Sequence, residues 1–352
     1  ALPYVDDRTM NRILPGLESH VPWFQWEFSP TAFSFLIQGS LILVFFVILA
    51  RKWRDPQSHV LGHVFAVLAF AGYLSLLLGN TLPLIREGQF SAGNFLGIGN
   101  LPQNVQNVSF GWTTMSVMGV AIFLTILLIQ RLIVPTRDEA LRGFRRAVKQ
   151  GRSRVRWHSD DNTSLPFVLA LLVLGAFGWV IFCQSNFASP TFQGISIPPG
   201  QSLMQFMGLV IPLLALQFYS EWRGWRSTVL LGLLLWVVPP LAAIIIGASG
   251  SGENFAFYVA SLSGPFLPVF AVAQAAMNSE AARRAAETAN DIQSAYWFSV
   301  TLYALTLPYL FTKWRQYRKD LHELAKTQEK NLASEETSPA DASLSWNQRR
   351  PG

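Results

Sequence analysis

Long apolar runs alternate with short polar stretches along the chain, and several of those stretches are strongly basic. A helix needs about 20 apolar residues to cross the hydrocarbon core of a bilayer. Windows 31–50, 61–85, 112–134, 165–183, 203–219, 228–246, 255–277 and 295–311 reach or approach that length. The first is followed at once by Arg51, Lys52 and Arg54, the fifth by Arg223 and Arg226, and the last by Lys313, Arg315, Arg318 and Lys319. Gly264, Pro265 and Pro268 interrupt the seventh window, and a broken helix survives in a membrane only when protein covers it. The pattern predicts an all-α fold. It is a polytopic integral membrane bundle of seven or eight apolar helices with one broken or re-entrant element, and it has no soluble enzyme domain of its own.

The basic residues set the orientation. Loop 135–164 carries Arg137, Arg142, Arg145, Arg146, Lys149, Arg152, Arg154 and Arg156, whereas the loops after the second, fourth and sixth windows carry almost none. Short cytoplasmic loops are enriched in Lys and Arg, so 135–164 is expected inside and the arm 1–30 outside. If the seventh window enters and leaves by one face, the tail 313–352 also lies inside. Seven full crossings plus one re-entrant or peripheral element are expected. Eight plain crossings, with Arg283 and Arg284 as inside charges, are the alternative. The expected organisation is an arm (1–30), three spans (31–134), a basic cytoplasmic loop (135–164), the remaining spans (165–312) and a charged tail (313–352). The end of that tail, rich in Ser, Pro and acid, is expected to be disordered.

In the arm, Trp23, Phe24, Trp26 and Phe28 form an aromatic cluster of the kind that settles among lipid headgroups. An exported N-terminus without a signal segment is unusual, so the chain is expected to be a processed or partial product.

Composition agrees with a lipid environment. Hydrophobic residues make up 51% of the chain and charged residues only 14%, against about a quarter in soluble domains. A lone cysteine, Cys183, excludes an internal disulfide framework, and no Cys/His spacing suggests zinc. The net charge of +6 sits beside the apolar windows, where topology and lipid headgroups explain it better than nucleic acid does.

Little in the sequence points to catalysis. No GxxxxGK[ST] phosphate loop occurs, so any ATP-driven function requires a separate ATPase chain. Gly247-Ala248-Ser249-Gly250 matches the GxSG of rhomboid-like intramembrane proteases, but the serine lacks a histidine on its side of the membrane. It reads instead as a tight outside turn. His59 and His63 share one helix face, yet no third metal ligand lies nearby in sequence. No charge falls well inside a window. Asn80, Gln130, Gln205 and Gln217 are expected to hydrogen-bond between helices. Pro239 and Pro240 predict a kink in the sixth window. The polar loops 86–108 and 184–200 read equally as caps over a cavity or as ordinary connectors. No catalytic, cofactor or metal-ligating residue is expected, and the chain is not expected to be an enzyme.

Segment 138–149 predicts a helix whose Leu141, Phe144 and Val148 fall at i, i+3 and i+7 with basic flanks. That pattern suits contact with a cytoplasmic partner or an anionic lipid surface. Leu141, Phe144, Arg145 and Val148 are the candidate partner contacts.

The C-terminal half combines the inside turn EWRGWR, the span LLLWVVPPLAAII, the outside turn GASGSGEN and the broken stretch YVASLSGPFLPVF, then a last span and a basic tail. With SPTAFSFLIQ and RKWRDPQSHVLG earlier, this resembles the membrane-spanning permease of type-2 ATP-binding-cassette exporters over about residues 30–318. The extracytoplasmic start departs from that family, whose permeases begin in the cytoplasm. The resemblance implies a multi-pass permease in a bacterial inner membrane, paired with a second permease copy and driven by separate ATPase subunits that dock on segment 138–149. The alternative reading is a non-catalytic structural subunit of a larger respiratory or photosynthetic membrane complex.

Overall fold

A computed structural model describes residues 21–54, 60–86, 103–152, 155, 162–187, 199–248, 253–262 and 286–336. It begins with a small hairpin, β1 (Val21–Trp23) and β2 (Trp26–Phe28), paired antiparallel with Trp23 opposite Trp26. Nine helices follow among the described residues: α1 (Pro30–Arg54), α2 (His63–Arg86), α3 (Gln103–Ile133), α4 (Arg137–Lys149), α5 (Leu165–Phe187), α6 (Pro199–Arg223), α7 (Trp225–Ala248), α8 (Glu253–Ser261) and α9 (Ala286–Glu336). The predicted all-α architecture is present, apart from the hairpin.

Local chemistry places the helix ends. Ser29 accepts from the backbone N–H of Ala32 through its hydroxyl, and Pro30, which has no N–H to satisfy, takes the first helical position. A reciprocal capping box starts α4. The Thr136 N–H donates to the Glu139 carboxylate at 2.7 Å, and the Thr136 hydroxyl accepts from the Glu139 N–H. Gly224 separates α6 from α7 with a φ of +85°, a left-handed conformation that costs a glycine nothing, and its N–H closes α6 on the Ser220 carbonyl at 2.9 Å.

The core lies between α2, α3, α5 and α6. Phe70, Ile122, Ile126, Leu171, Trp179, Phe182, Phe206 and Leu213 are all fully or almost fully buried there. Helix α5 sits at its centre. Gly178 of α5 meets Leu74 of α2, and Gly175 meets Ile126 of α3 and Phe206 of α6, so both glycines bring backbones close where a side chain would intrude.

The outer surface is the inverse of a soluble protein's. Helix α1 has no buried residue, and Phe46 on α1 and Ile245 on α7 are 67% and 72% exposed. Soluble proteins seldom expose contiguous apolar patches above a few hundred Å². Lipid is the medium that makes such a surface stable. Among the described residues four helices are long and apolar enough to cross a membrane, or five if the bent pair formed by Met118–Ile133 and α4 counts as one span. This fits a multi-pass membrane protein.

Of the interrupted window 255–277, the start lies in α8, whose nine residues are too short to span. Residues 263–285 lie outside the described residues. Helix α8 packs on α7 and α9, and buried polar bonds pin it to α9. The Ser261 hydroxyl donates to the Ala295 carbonyl and lies 2.6 Å from the Ser299 hydroxyl, and the Tyr303 hydroxyl donates to the Leu262 carbonyl at 2.7 Å.

Helix α9 runs unbroken for 51 residues, from the last apolar window into the charged tail. Its tail half packs against α4, burying Ala140, Phe144, Leu321 and Ala325 together. The tail and loop 135–164 therefore share one side.

The described part of the arm is tied to the bundle. Its hairpin docks on α2: the Trp23 indole donates to the Ser75 carbonyl, the Phe24 N–H donates to the Gly79 carbonyl at 2.8 Å, and the Trp23 ring lies over the bare backbone of Gly79. Phe24 holds a φ of +55°, a conformation bulky residues seldom adopt. Docking on α2 offsets that strain.

Candidate functional site

One buried cluster joins the described spans to the basic face. Its centre is Glu221, near the C-terminal end of α6, only 6% exposed. Glu221 Oε1 accepts from the Ser164 N–H at 3.0 Å, the Ser164 hydroxyl at 3.1 Å, the Thr163 hydroxyl at 2.9 Å and Gln217 Nε2 at 2.7 Å. Oε2 accepts from Trp314 Nε1 at 2.6 Å. Gln217 Nε2 also reaches the Ser164 hydroxyl at 2.6 Å.

The position is electrostatically mixed. A carboxylate at the end of its own helix faces the negative pole of α6, which is unfavourable. It also faces the N-terminus of α5, which begins at Leu165 and supplies the Ser164 N–H. The positive pole and unpaired N–H groups of a helix start favour an anion. Glu221 thus caps α5 in trans while tying it to α6 and α9. Glu221 and Arg223 of the EWRGWR motif still belong to α6, and the turn itself is at Gly224. The signal that identifies Glu221 is local: Gln217 and Glu221 stand four apart, on the face that carries buried Leu213.

Aromatic rings surround the cluster at the same level. Phe218, Phe311 and Trp314 lie 5.4–5.6 Å from one another by centroid, and Trp222 meets Tyr309 edge-on. Such rings belong to the membrane–water interface.

From this cluster α9 leads outward to α4. Arg318 donates to Asn162 Oδ1 at 2.7 Å and lies over the Phe144 ring at 4.9 Å. Burial pulls its pKa down, and the nearby Glu221 carboxylate partly offsets that. The face of α4 that packs is lined by Ala140, Gly143, Phe144 and Ala147, small residues except for the one ring. The large apolar side chains alone marked a slightly different stripe. Of the candidate partner contacts, Phe144 is covered by the chain's own tail, whereas Leu141, Arg145 and Val148 stay half-exposed at the edge. Arg145 pairs with Glu329 at 2.9 Å. Both side chains retain exposure, 37% and 20%, so water screens the pair. Arg145→Ala is expected to lower stability by less than about 1 kcal/mol, measurable as a small shift in thermal unfolding in detergent.

The other sequence candidates fall elsewhere. His63 is buried, with Nε2 3.1 Å from the Ile133 carbonyl and its ring stacked on Phe167. It serves the otherwise unpaired C-terminus of α3 rather than facing water. His59, Ser249 and Gly250 lie outside the described residues, as do the side chain of Gln205 and the greater part of loops 86–108 and 184–200. No group of His, Cys, Asp and Glu suited to a metal occurs among the described residues. Gln130 bridges to the Leu213 carbonyl at 3.2 Å, the interhelical role expected of it. Helix α7 continues through Pro239 and Pro240. Comparison with protein-family models, with curated proteins and with solved structures finds no match to this chain.

Proposed function

We propose that this chain is the membrane permease subunit of an exporter driven by a separate ATPase, working in a bacterial inner membrane and paired with a second permease copy. In this reading α1, α2, α3, α5, α6, α7 and α9 cross, α8 begins the re-entrant element, and α4 receives the ATPase. The observation that carries it is the mechanical continuity between α4 and the bundle. Helix α4 is capped at its start and packs by Phe144 onto α9, which continues without a break towards the aromatic layer and Glu221. A force on α4 therefore reaches three helices at once. A partner that binds one arrangement of α4 more tightly than another shifts the bundle between two arrangements. Exposed Arg146 and Lys149 give that partner a basic surface.

Helix α1, with no buried residue, favours a second reading: a structural subunit of a larger membrane complex that hands this helix to a neighbour. One experiment separates the two. Cysteines introduced at Arg146 and Lys149 carry a short crosslinker in native membranes, and buried Cys183 contributes little background. The exporter reading expects a crosslinked partner that binds ATP. Recovery of the chain without any ATPase, in an assembly of several other membrane subunits, would overturn it in favour of the second.

A further inference from the structure

Beside the Glu221 cluster, an open groove of about 330 Å³ lies between α4, the segment around Asn162 and α9. Arg315, Arg318, Lys319 and His322 line it, spaced i, i+3, i+4 and i+7, so all four share one face of α9. Among the described residues no carboxylate lines it. The nearest buried acid, Glu221, is already committed to its own donors. The volume falls in the range of small-molecule sites, which begins at about 300 Å³.

Two of the basic groups are held ready. Arg318 is fixed by Asn162 on one side and by the rings of Phe144 and Trp314, 4.9 and 5.9 Å away, on the other. A guanidinium carries five N–H donors in a rigid fork, and only one of its bonds is made within the described residues. His322 Nδ1 is buried without a hydrogen-bond partner among the described residues, and its ring leans on Phe144. A buried polar atom of that kind calls for a partner. The groove starts just beyond Phe311, where the apolar run gives way to basic residues, the depth at which headgroup phosphates lie.

We propose that this groove binds a phosphate group, seated on Arg315, Arg318 and Lys319. The group belongs either to an anionic lipid headgroup or to a small phosphate ester. A planar guanidinium recognises phosphate oxygens in pairs, and the lysine adds a point charge. This inference does not depend on the exporter reading.

The test uses the full chain in a neutral detergent. Short-chain phosphatidylglycerol, short-chain phosphatidylcholine and inorganic phosphate are titrated separately and followed by thermal unfolding and by native mass spectrometry. Phosphatidylglycerol is expected to raise the unfolding temperature and phosphatidylcholine to leave it unchanged. A response to inorganic phosphate as well points to a small ester, and a response to phosphatidylglycerol alone points to a lipid. The double variant R315Q/K319Q alters two exposed side chains and should keep the unprobed unfolding temperature. It is expected to bind about ten-fold more weakly. Asp160 and Asp161 adjoin Asn162 in sequence and lie outside the described residues, so D160N/D161N is titrated in parallel. Equal binding of phosphatidylcholine, unchanged binding by R315Q/K319Q, or binding that appears only in D160N/D161N each overturns the proposal. The last result would mean that the chain's own carboxylates occupy the site.

Discussion

Glu221→Ala is expected to lower stability by about 3–5 kcal/mol, the cost of breaking a buried charged network from one side. The substitution leaves the Ser164 N–H, two hydroxyls, the Gln217 amide and the Trp314 indole facing an empty space. Each buried donor left unmade costs about 1–3 kcal/mol, and relaxation or entering water recovers part of the sum. Glu221→Gln keeps the shape and one acceptor but brings two N–H donors towards groups that are themselves donors. It should fall between wild type and alanine. Thermal unfolding in detergent ranks the three. Trp314→Phe removes a single donor from the same carboxylate, so its effect should be smaller and should not add to that of Glu221→Ala. Full additivity would mean the two side chains act separately.

The second large effect is expected at Gly208, where α6 meets α9. A Cβ built there lies 2.5–2.9 Å from the ring and hydroxyl of Tyr296, itself completely buried. An aromatic ring enclosed on all sides cannot move aside as a leucine tip can. Gly208→Val should therefore cost about 3 kcal/mol, the upper part of the usual overpacking range. Gly208→Ala should cost less, because alanine recovers up to about 1 kcal/mol of helix propensity. Gly178→Ala provides the contrast, since the atoms nearest its Cβ are the flexible end of Leu74. If Gly208→Val is harmless, the α6–α9 contact is looser than these distances imply. Combining it with Tyr296→Ala, which opens the space, tests the assignment directly: the double variant should lose less than the sum of the two singles.

What could be read from the sequence follows from how far each signal reaches along the chain. Apolar windows and amphipathic stripes are local patterns, so the all-α class and helix α4 were legible. The capping box of Thr136 and Glu139 starts α4 at Arg137, one residue ahead of the predicted 138. Of the Glu221 cluster only the Gln217–Glu221 spacing is local; its other donors come from positions 163, 164 and 314, brought together only by packing. The packed face of α4 was read from its large apolar residues, while Ala140, Gly143 and Ala147 carry much of the contact through their smallness. The hairpin is too short to show a strand period, and its docking rests on the bare backbone of Gly79, which no local pattern reveals.

Helix α9 has a mechanical consequence. Its 51 residues form a rod about 77 Å long at 1.5 Å per residue, with about 25 residues beyond Phe311. Pro308 lacks the N–H that would close the preceding turn, so bending stiffness is lowest there. The rod is then a lever with its pivot at the inner edge of the apolar window. Tilting the 28 residues beyond Pro308 by about 10° swings the tip by roughly 7 Å, given an arm of about 42 Å, while the pivot itself scarcely moves.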